Sequence, residues 1–130
     1  PVKVIRVPTY RNKKGVALSS RNNLINKNKQ KIQIYLFEVL KFISGKILDN
    51  GIELNELKGL KENLVVQGVS KVNYLEILNQ DNLKKIDEKF VSGRIFISVE
   101  IDGVTLIDNY GLPEKITSKG GLIISEKWRI

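Results

Sequence analysis

The 130 residues suffice for one domain, and a chain of this length buries roughly two-thirds of its unfolded surface on folding. Neither Cys nor His occurs, which excludes zinc sites built on those ligands, thiol nucleophiles, imidazole bases and Ser-His-Asp triads. The net charge of +8 permits an anionic partner, although Lys outnumbers Arg and a hydrated Lys serves solubility as readily as recognition.

No apolar run approaches about 18 residues, and the opening residues lack the charged-then-apolar plan of a secretory signal, so a soluble, cytoplasmic protein is expected with no membrane partner. The absence of Met, with strand-like residues at the start, points to a piece of a longer chain. Aromatic residues make up 7% and fall at apparent core positions, so the interleaved basic and aromatic surface of single-strand binders is missing. Neither a P-loop nor G-x-G-x-x-G is present.

In chain order, Val2, Val4 and Ile5 to Val7 predict a short strand stopped by Pro8, followed by a mobile basic loop from Thr9 to Ser20 that carries Arg11, Lys13, Lys14 and Gly15. From about Lys27 to Leu48, Ile32, Leu36, Leu40, Ile43 and Ile47 recur at helical spacing with Val39 beside them, which predicts an amphipathic helix. Asn26 is its expected N-cap and Asn50-Gly51 its stop. A second helix starts near Glu53, aligns Leu57, Leu60 and Leu64, and ends at Gly68.

Val72 to Leu78 predicts a strand, and Asn79 to Leu83 a capped helical turn. Arg94 to Ile101 alternates cleanly, with Ile95, Ile97, Val99 and Ile101 on one face and Arg94, Phe96, Ser98 and Glu100 on the other. Asp102-Gly103 supplies the positive-φ pair of a type I′ turn, returning into a strand from Val104 to Ile107. Leu122 to Ser125 adds a further strand or belongs to an extension. The expected fold class is α+β, a two-layer domain in which helices cover one face of an antiparallel sheet of about three strands.

The segment best suited to chemistry is Val7-Pro8-Thr9-Tyr10-Arg11, then Gly15, then Ala17-Leu18-Ser19-Ser20-Arg21-Asn22. Two hydroxyls can donate to phosphate oxygens, Arg21 can add a forked, charge-assisted contact, and backbone N–H groups at the start of the following helix would add more. The competing reading is that these serines and asparagines simply cap a helix. Glu76 and the Asp102, Asp108 pair are assigned to strand and turn structure, because a catalytic carboxylate pair needs a convergence the sequence does not supply.

Val7-Pro8-Thr9-Tyr10-Arg11, Gly15 and Ala17-Leu18-Ser19-Ser20-Arg21-Asn22, at this spacing, closely resemble the interdomain segment of the pantothenate synthetase family. Val72-Asn73-Tyr74-Leu75-Glu76-Ile77 with Leu83 resembles that family's V-D-Y-x-E-V block. Gly93-Arg94-Ile95 to Val99, leading into Leu106-Ile107-Asp108-Asn109, resembles its closing hairpin. The resemblance runs from Val2 to Asn109. Departures are Tyr10 in place of a usual Val, Lys13 and Lys14 where acidic residues are usual, Asn26-Lys27-Asn28-Lys29 in place of a Ser-Pro-Glu-Glu helix start, and Asn73 in place of Asp.

The resemblance implies an ATP-dependent, AMP-forming carbon–nitrogen ligase that joins pantoate and β-alanine through a pantoyl adenylate, with Mg²⁺ accompanying ATP, in coenzyme A biosynthesis. It gives Ser19, Ser20 and Arg21 the catalytic role of clamping ATP phosphates and adds Tyr10 and Leu18 to the nucleotide-binding set, with no metal ligands from the chain. It divides the chain into an interdomain strand and phosphate loop at 1–22, a C-terminal lid domain at 23–109 and a tail of unknown role at 110–130. The H-x-G-H motif and the pantoate and β-alanine pockets belong to the family's other domain, which this His-free chain does not contain. The chain is therefore expected to be inactive alone, and any homodimer contact is expected in that other domain. The competing function is a stand-alone basic nucleic-acid-binding module, for which binding would weaken steeply with salt.

Overall fold

The computed structural model describes residues 2–5, 7–49, 52, 54–79, 83–84 and 93–112. Its regular elements are α1 (Gln30–Asp49), α2 (Leu54–Val66), β1 (Lys71–Asn79), β2 (Gly93–Ile101) and β3 (Val104–Gly111), with short 3₁₀ turns at Ser20–Leu24 and Lys27–Lys29 ahead of α1. The three strands form one antiparallel sheet in the order β1-β2-β3. Both helices pack on one face of it, which is the two-layer α+β arrangement expected from the periodicities.

The apolar stripe of α1 buries Ile32, Leu36, Val39, Leu40 and Ile43, and α2 contributes Leu57 and Leu64 with Leu60 packed at the margin. Facing them, Ile95, Ile97, Val99 and Ile101 of β2 are all 1% exposed or less, because the central strand is covered by helices on that face and flanked on both edges. The Asn26 side chain accepts from Asn28 N–H at 2.9 Å and so caps the entry turn rather than α1 itself. Helix α2 closes in a Schellman motif: Val69 N–H donates to Leu64 C=O and Gly68 N–H to Val65 C=O, with Gly68 at φ +118° and Val69 buried beside Leu64.

Asp102 and Gly103 sit at φ +49° and +83°, the positive pair required by the β2–β3 turn. The returning strand continues to Gly111, past the expected Ile107, since Gly111 still pairs with Arg94. Strand β1 pairs with β2 through a bulge between Val72 and Tyr74, where the Asn73 side chain donates to the buried Ser98 hydroxyl at 3.1 Å.

Two expectations near the N-terminus are corrected. Residues 2–5 and 7 form no strand; Val2, Val4, Ile5 and Val7 are 74–92% exposed, because alternating apolar residues need a neighbouring strand and none of the described strands pairs with them. The basic loop is instead a closed hairpin, bridged at Arg11 and Ala17, with bonds from Leu18 N–H to Tyr10 C=O and from Asn12 N–H to Val16 C=O, both 3.0 Å. The Asn50-Gly51 stop, the Glu53 start, the centre of the turn at 80–82 and everything beyond 112 lie outside the described residues. Among the described residues, no helix is long and apolar enough to cross a membrane.

The burial pattern sets a contrast for urea denaturation. Ile97→Ala, at the centre of the core, is expected to cost about 2–5 kcal/mol, whereas Ile107→Ala on the outer face should stay within about 0.5 kcal/mol. Equal losses at the two positions would contradict the assignment of the sheet faces.

Candidate phosphate-binding loop

The hairpin at 10–18 is held against the domain by Arg11. Its guanidinium donates to both carboxylate oxygens of Asp108 at 2.7 and 2.8 Å, to Gly15 C=O at 3.1 Å and to Asn109 C=O at 2.9 Å. The two side chains are 15% and 8% exposed, so the fork is largely withdrawn from water, with its charge matched by Asp108. The central carbon of the guanidinium lies over the Phe37 ring on α1, 4.4 Å from its centre, and Phe37 meets Tyr110 of β3 edge-on.

Gly15 is fixed by the same packing. It adopts φ +87°, and a β-carbon there would land 2.0 Å from Phe37 Cδ1. Asn12 completes the turn by accepting from the Lys14 and Val16 N–H groups. Asp108 therefore has the structural role expected of it, as does Asp102, which pairs with Lys29 on the surface. Glu76 is exposed on β1.

Beyond the hairpin the chain turns outward. Ser19, Ser20 and Arg21 are exposed, and so are Tyr10 (78%) and Leu18 (55%). Ser19 Oγ accepts from Arg21 N–H at 3.2 Å as the cap of the Ser20–Leu24 turn. This is the capping reading, and it coexists with the other: an accepting hydroxyl retains its own proton to donate. Arg21 reaches Thr105 C=O at 3.5 Å, the weak limit of a hydrogen bond, leaving the rest of its fork toward solvent.

The expected backbone donors from the following helix are corrected, because α1 begins only at Gln30, after two 3₁₀ turns. The loop roofs a cleft of about 330 Å³ against the edge of β3, lined by Leu18, Ser19, Arg21, Asn22 and Gln33 on one side and Thr105 to Asn109 on the other. A larger hollow of about 690 Å³ lies beside Pro8, Leu83 and Phe96, where the cations on its wall, Arg11 and Arg94, already hold Asp108 and Asn109. Among the described residues, no group of three or more acidic side chains gathers.

The structure thus brings Leu18, Ser19, Ser20 and Arg21 onto one exposed turn and pairs Tyr10 with Leu18 across the hairpin. It also identifies residues whose roles the sequence did not reveal: Arg11 and Asp108 as a pair, and Asn22 with Gln33. The only sequence signal was that Arg11, Asn22 and Asp108 stand inside resembling blocks.

A two-layer α+β domain carrying a tethered hairpin and an exposed hydroxyl-and-guanidinium turn is the class these features define. The chain belongs to the pantoate-beta-alanine ligase family, whose model matches residues 1–111. It is 34% identical over 110 residues to pantothenate synthetase of Buchnera aphidicola subsp. Acyrthosiphon pisum (strain Tuc7), covering 83% of this chain and 38% of that protein. Pantothenate synthetase of Ruthia magnifica subsp. Calyptogena magnifica is 37% identical over 101 residues, covering 76% of this chain and 35% of that protein.

Among solved structures, pantothenate synthetase from Thermus thermophilus superposes with a TM-score of 0.74 at 27% identity, covering 86% of this chain and 41% of that one. Pantoate-beta-alanine ligase from Francisella tularensis, complexed with β-γ ATP and β-alanine, gives 0.55 at 27% identity, with 84% and 33% covered. The chain therefore spans well under half the length of these relatives.

The Arg11 clamp makes a stability prediction. Arg11→Ala should cost about 3–5 kcal/mol in urea unfolding, because it leaves Asp108 largely buried without its counter-charge. Arg11→Lys keeps the charge but not the fork, and should recover less than half of that loss. Full recovery by Lys would show that the bidentate geometry is unimportant.

Proposed function

We propose that this chain is the C-terminal, phosphate-clamping part of a pantothenate synthetase, an ATP-dependent, AMP-forming ligase joining pantoate and β-alanine through a pantoyl adenylate. The observation that carries the reading is the exposed Ser19-Ser20-Arg21 turn, held on a bonded hairpin with its hydroxyl and guanidinium donors facing solvent. Family membership and the ATP-complexed Francisella relative support it.

As pantoate attacks the α-phosphorus, negative charge builds on the pyrophosphate leaving group. Donors fixed in advance stabilise that charge without reorganising. Ser19 and Ser20 supply short neutral donors, and Arg21 supplies a charged fork that leaves its weak contact with Thr105 C=O for the phosphate. Tyr10 and Leu18, adjacent across the hairpin, flank the nucleotide. Mg²⁺ bound with ATP would be held through the nucleotide's phosphates and would help neutralise their charge.

Closure of this domain over the nucleotide positions the phosphates and excludes water from the adenylate. One wall of a two-walled site binds weakly and does no chemistry alone. Pantoate and β-alanine are held by the part of the family's length that this chain does not match, where the dimer contact of the whole enzyme is also placed. The cytoplasm is the compartment of such an enzyme.

The 130-residue chain, incubated with Mg-ATP, pantoate and β-alanine, should release neither pyrophosphate nor pantothenate; turnover by a clean preparation would contradict the assignment. Titration with Mg-ATP should shift the amide resonances of Tyr10 and of residues 18–21 with millimolar affinity. Arg21→Ala should weaken this binding by about tenfold, the scale of one charge-assisted contact. Shifts confined to the lysines of α1 and α2 would reject the loop as the phosphate site.

A further inference from the structure

We propose that Asn22 and Gln33 are positioning residues for the phosphate loop. The Asn22 side-chain amide is held between Ala17 and α1, and it closes the segment 18–21 into a braced turn. The inference rests on the phosphate-binding reading of Ser19, Ser20 and Arg21, to which it adds the device that holds them.

Asn22 Nδ2 donates to Ala17 C=O at 3.0 Å, and Asn22 Oδ1 accepts from Gln33 Nε2 at 3.3 Å. These two bonds fix the orientation of the amide, since turning it over would set oxygen against oxygen at Ala17 and nitrogen against nitrogen at Gln33. The brace spans the turn: Ala17 is the last bridged residue of the hairpin, and Asn22 N–H also returns to Ser19 C=O at 3.1 Å. Leu18 to Arg21 are thus tied at both ends by one side chain.

Gln33 is 7% exposed and stands in the first turns of α1 among the apolar residues Ile32 and Leu36. A buried amide at such a position is costly unless its groups are bonded. Its donor is spent on Asn22, a residue of the loop, and both side chains line the cleft under the turn. Asn22 itself is half-buried with both ends of its amide engaged in holding the turn, which is the positioning role assigned to it. A braced loop loses less freedom when an anion binds, which raises affinity without adding a contact.

The test uses the full 130-residue chain, ¹⁵N-labelled, as wild type, Asn22→Ala and Gln33→Leu, with inorganic tripolyphosphate as the probe. Thermal unfolding and the amide spectrum outside residues 16–23 should remain near wild type for at least Gln33→Leu, which places an apolar side chain in an apolar setting. In both variants amide hydrogen exchange at residues 18–21 should quicken, and tripolyphosphate affinity should fall, each by about tenfold, the scale of one or two lost hydrogen bonds. Wild-type exchange in both variants would overturn the inference, as would a loosened turn that binds tripolyphosphate as well as before. A wild-type chain that takes up no tripolyphosphate would instead reject the phosphate-binding reading, while hydrogen exchange would still decide whether the two amides brace the turn.

Discussion

The guanidinium of Arg11 is the contact through which the N-terminal hairpin becomes part of the domain. It bonds two carbonyls and a carboxylate while its central carbon lies over the Phe37 ring, a combination suited to a planar, five-donor cation. The partners come from three places in the chain: the turn at Gly15, the helix at Phe37 and the edge strand at Asp108 and Asn109. Gly15 has no side chain because Phe37 occupies that space, and Phe37 is held in turn by Tyr110. The same contact covers one carbonyl of an open sheet edge, which otherwise invites pairing with another chain.

Inward-bonded and outward-facing polar groups are consequently segregated along a short stretch of sequence. Arg11, Asn12 and Asn22 spend their hydrogen-bonding capacity inside the protein, on Asp108, on the hairpin turn and on Gln33. Ser19, Ser20 and Arg21, between them in sequence, face outward. In the proposed phosphate-binding role this division would favour recognition, because donors held by a satisfied framework need not reorganise as charge develops. The net positive charge of the chain adds a favourable field without setting geometry.

The parts of the fold legible in the sequence are those encoded locally. The β2–β3 hairpin follows from strict alternation across Asp102-Gly103, α1 and α2 follow from apolar spacing, and Gly68 closes α2, whereas Asn26 caps the turn ahead of α1 and not α1 itself. The N-terminal strand does not form because alternation in Val2 to Val7 states which side is apolar but not whether a partner strand exists. The hairpin reads as a mobile loop in the sequence because its anchor joins Arg11 to Asp108 across 97 positions, a separation at which residue patterns carry no pairing information. For Ser19 the capping and phosphate readings compete in the sequence, yet one hydroxyl can accept within its turn and donate outside it. Ser19, Ser20 and Arg21 stand out by their donor chemistry, Tyr10 and Leu18 only through the family resemblance, and the bonds joining Asn22 to Ala17 and Gln33 required coordinates.

The most direct test is a structure of this chain determined with tripolyphosphate soaked to saturation. Phosphate oxygens are expected within hydrogen-bond distance of the Ser19 and Ser20 hydroxyls and the Arg21 fork, with Arg21 moved off Thr105 and the Arg11–Asp108 pair unchanged. Phosphate seated elsewhere while those three side chains stay unliganded, or binding that requires the Arg11–Asp108 pair to separate, would contradict that expectation.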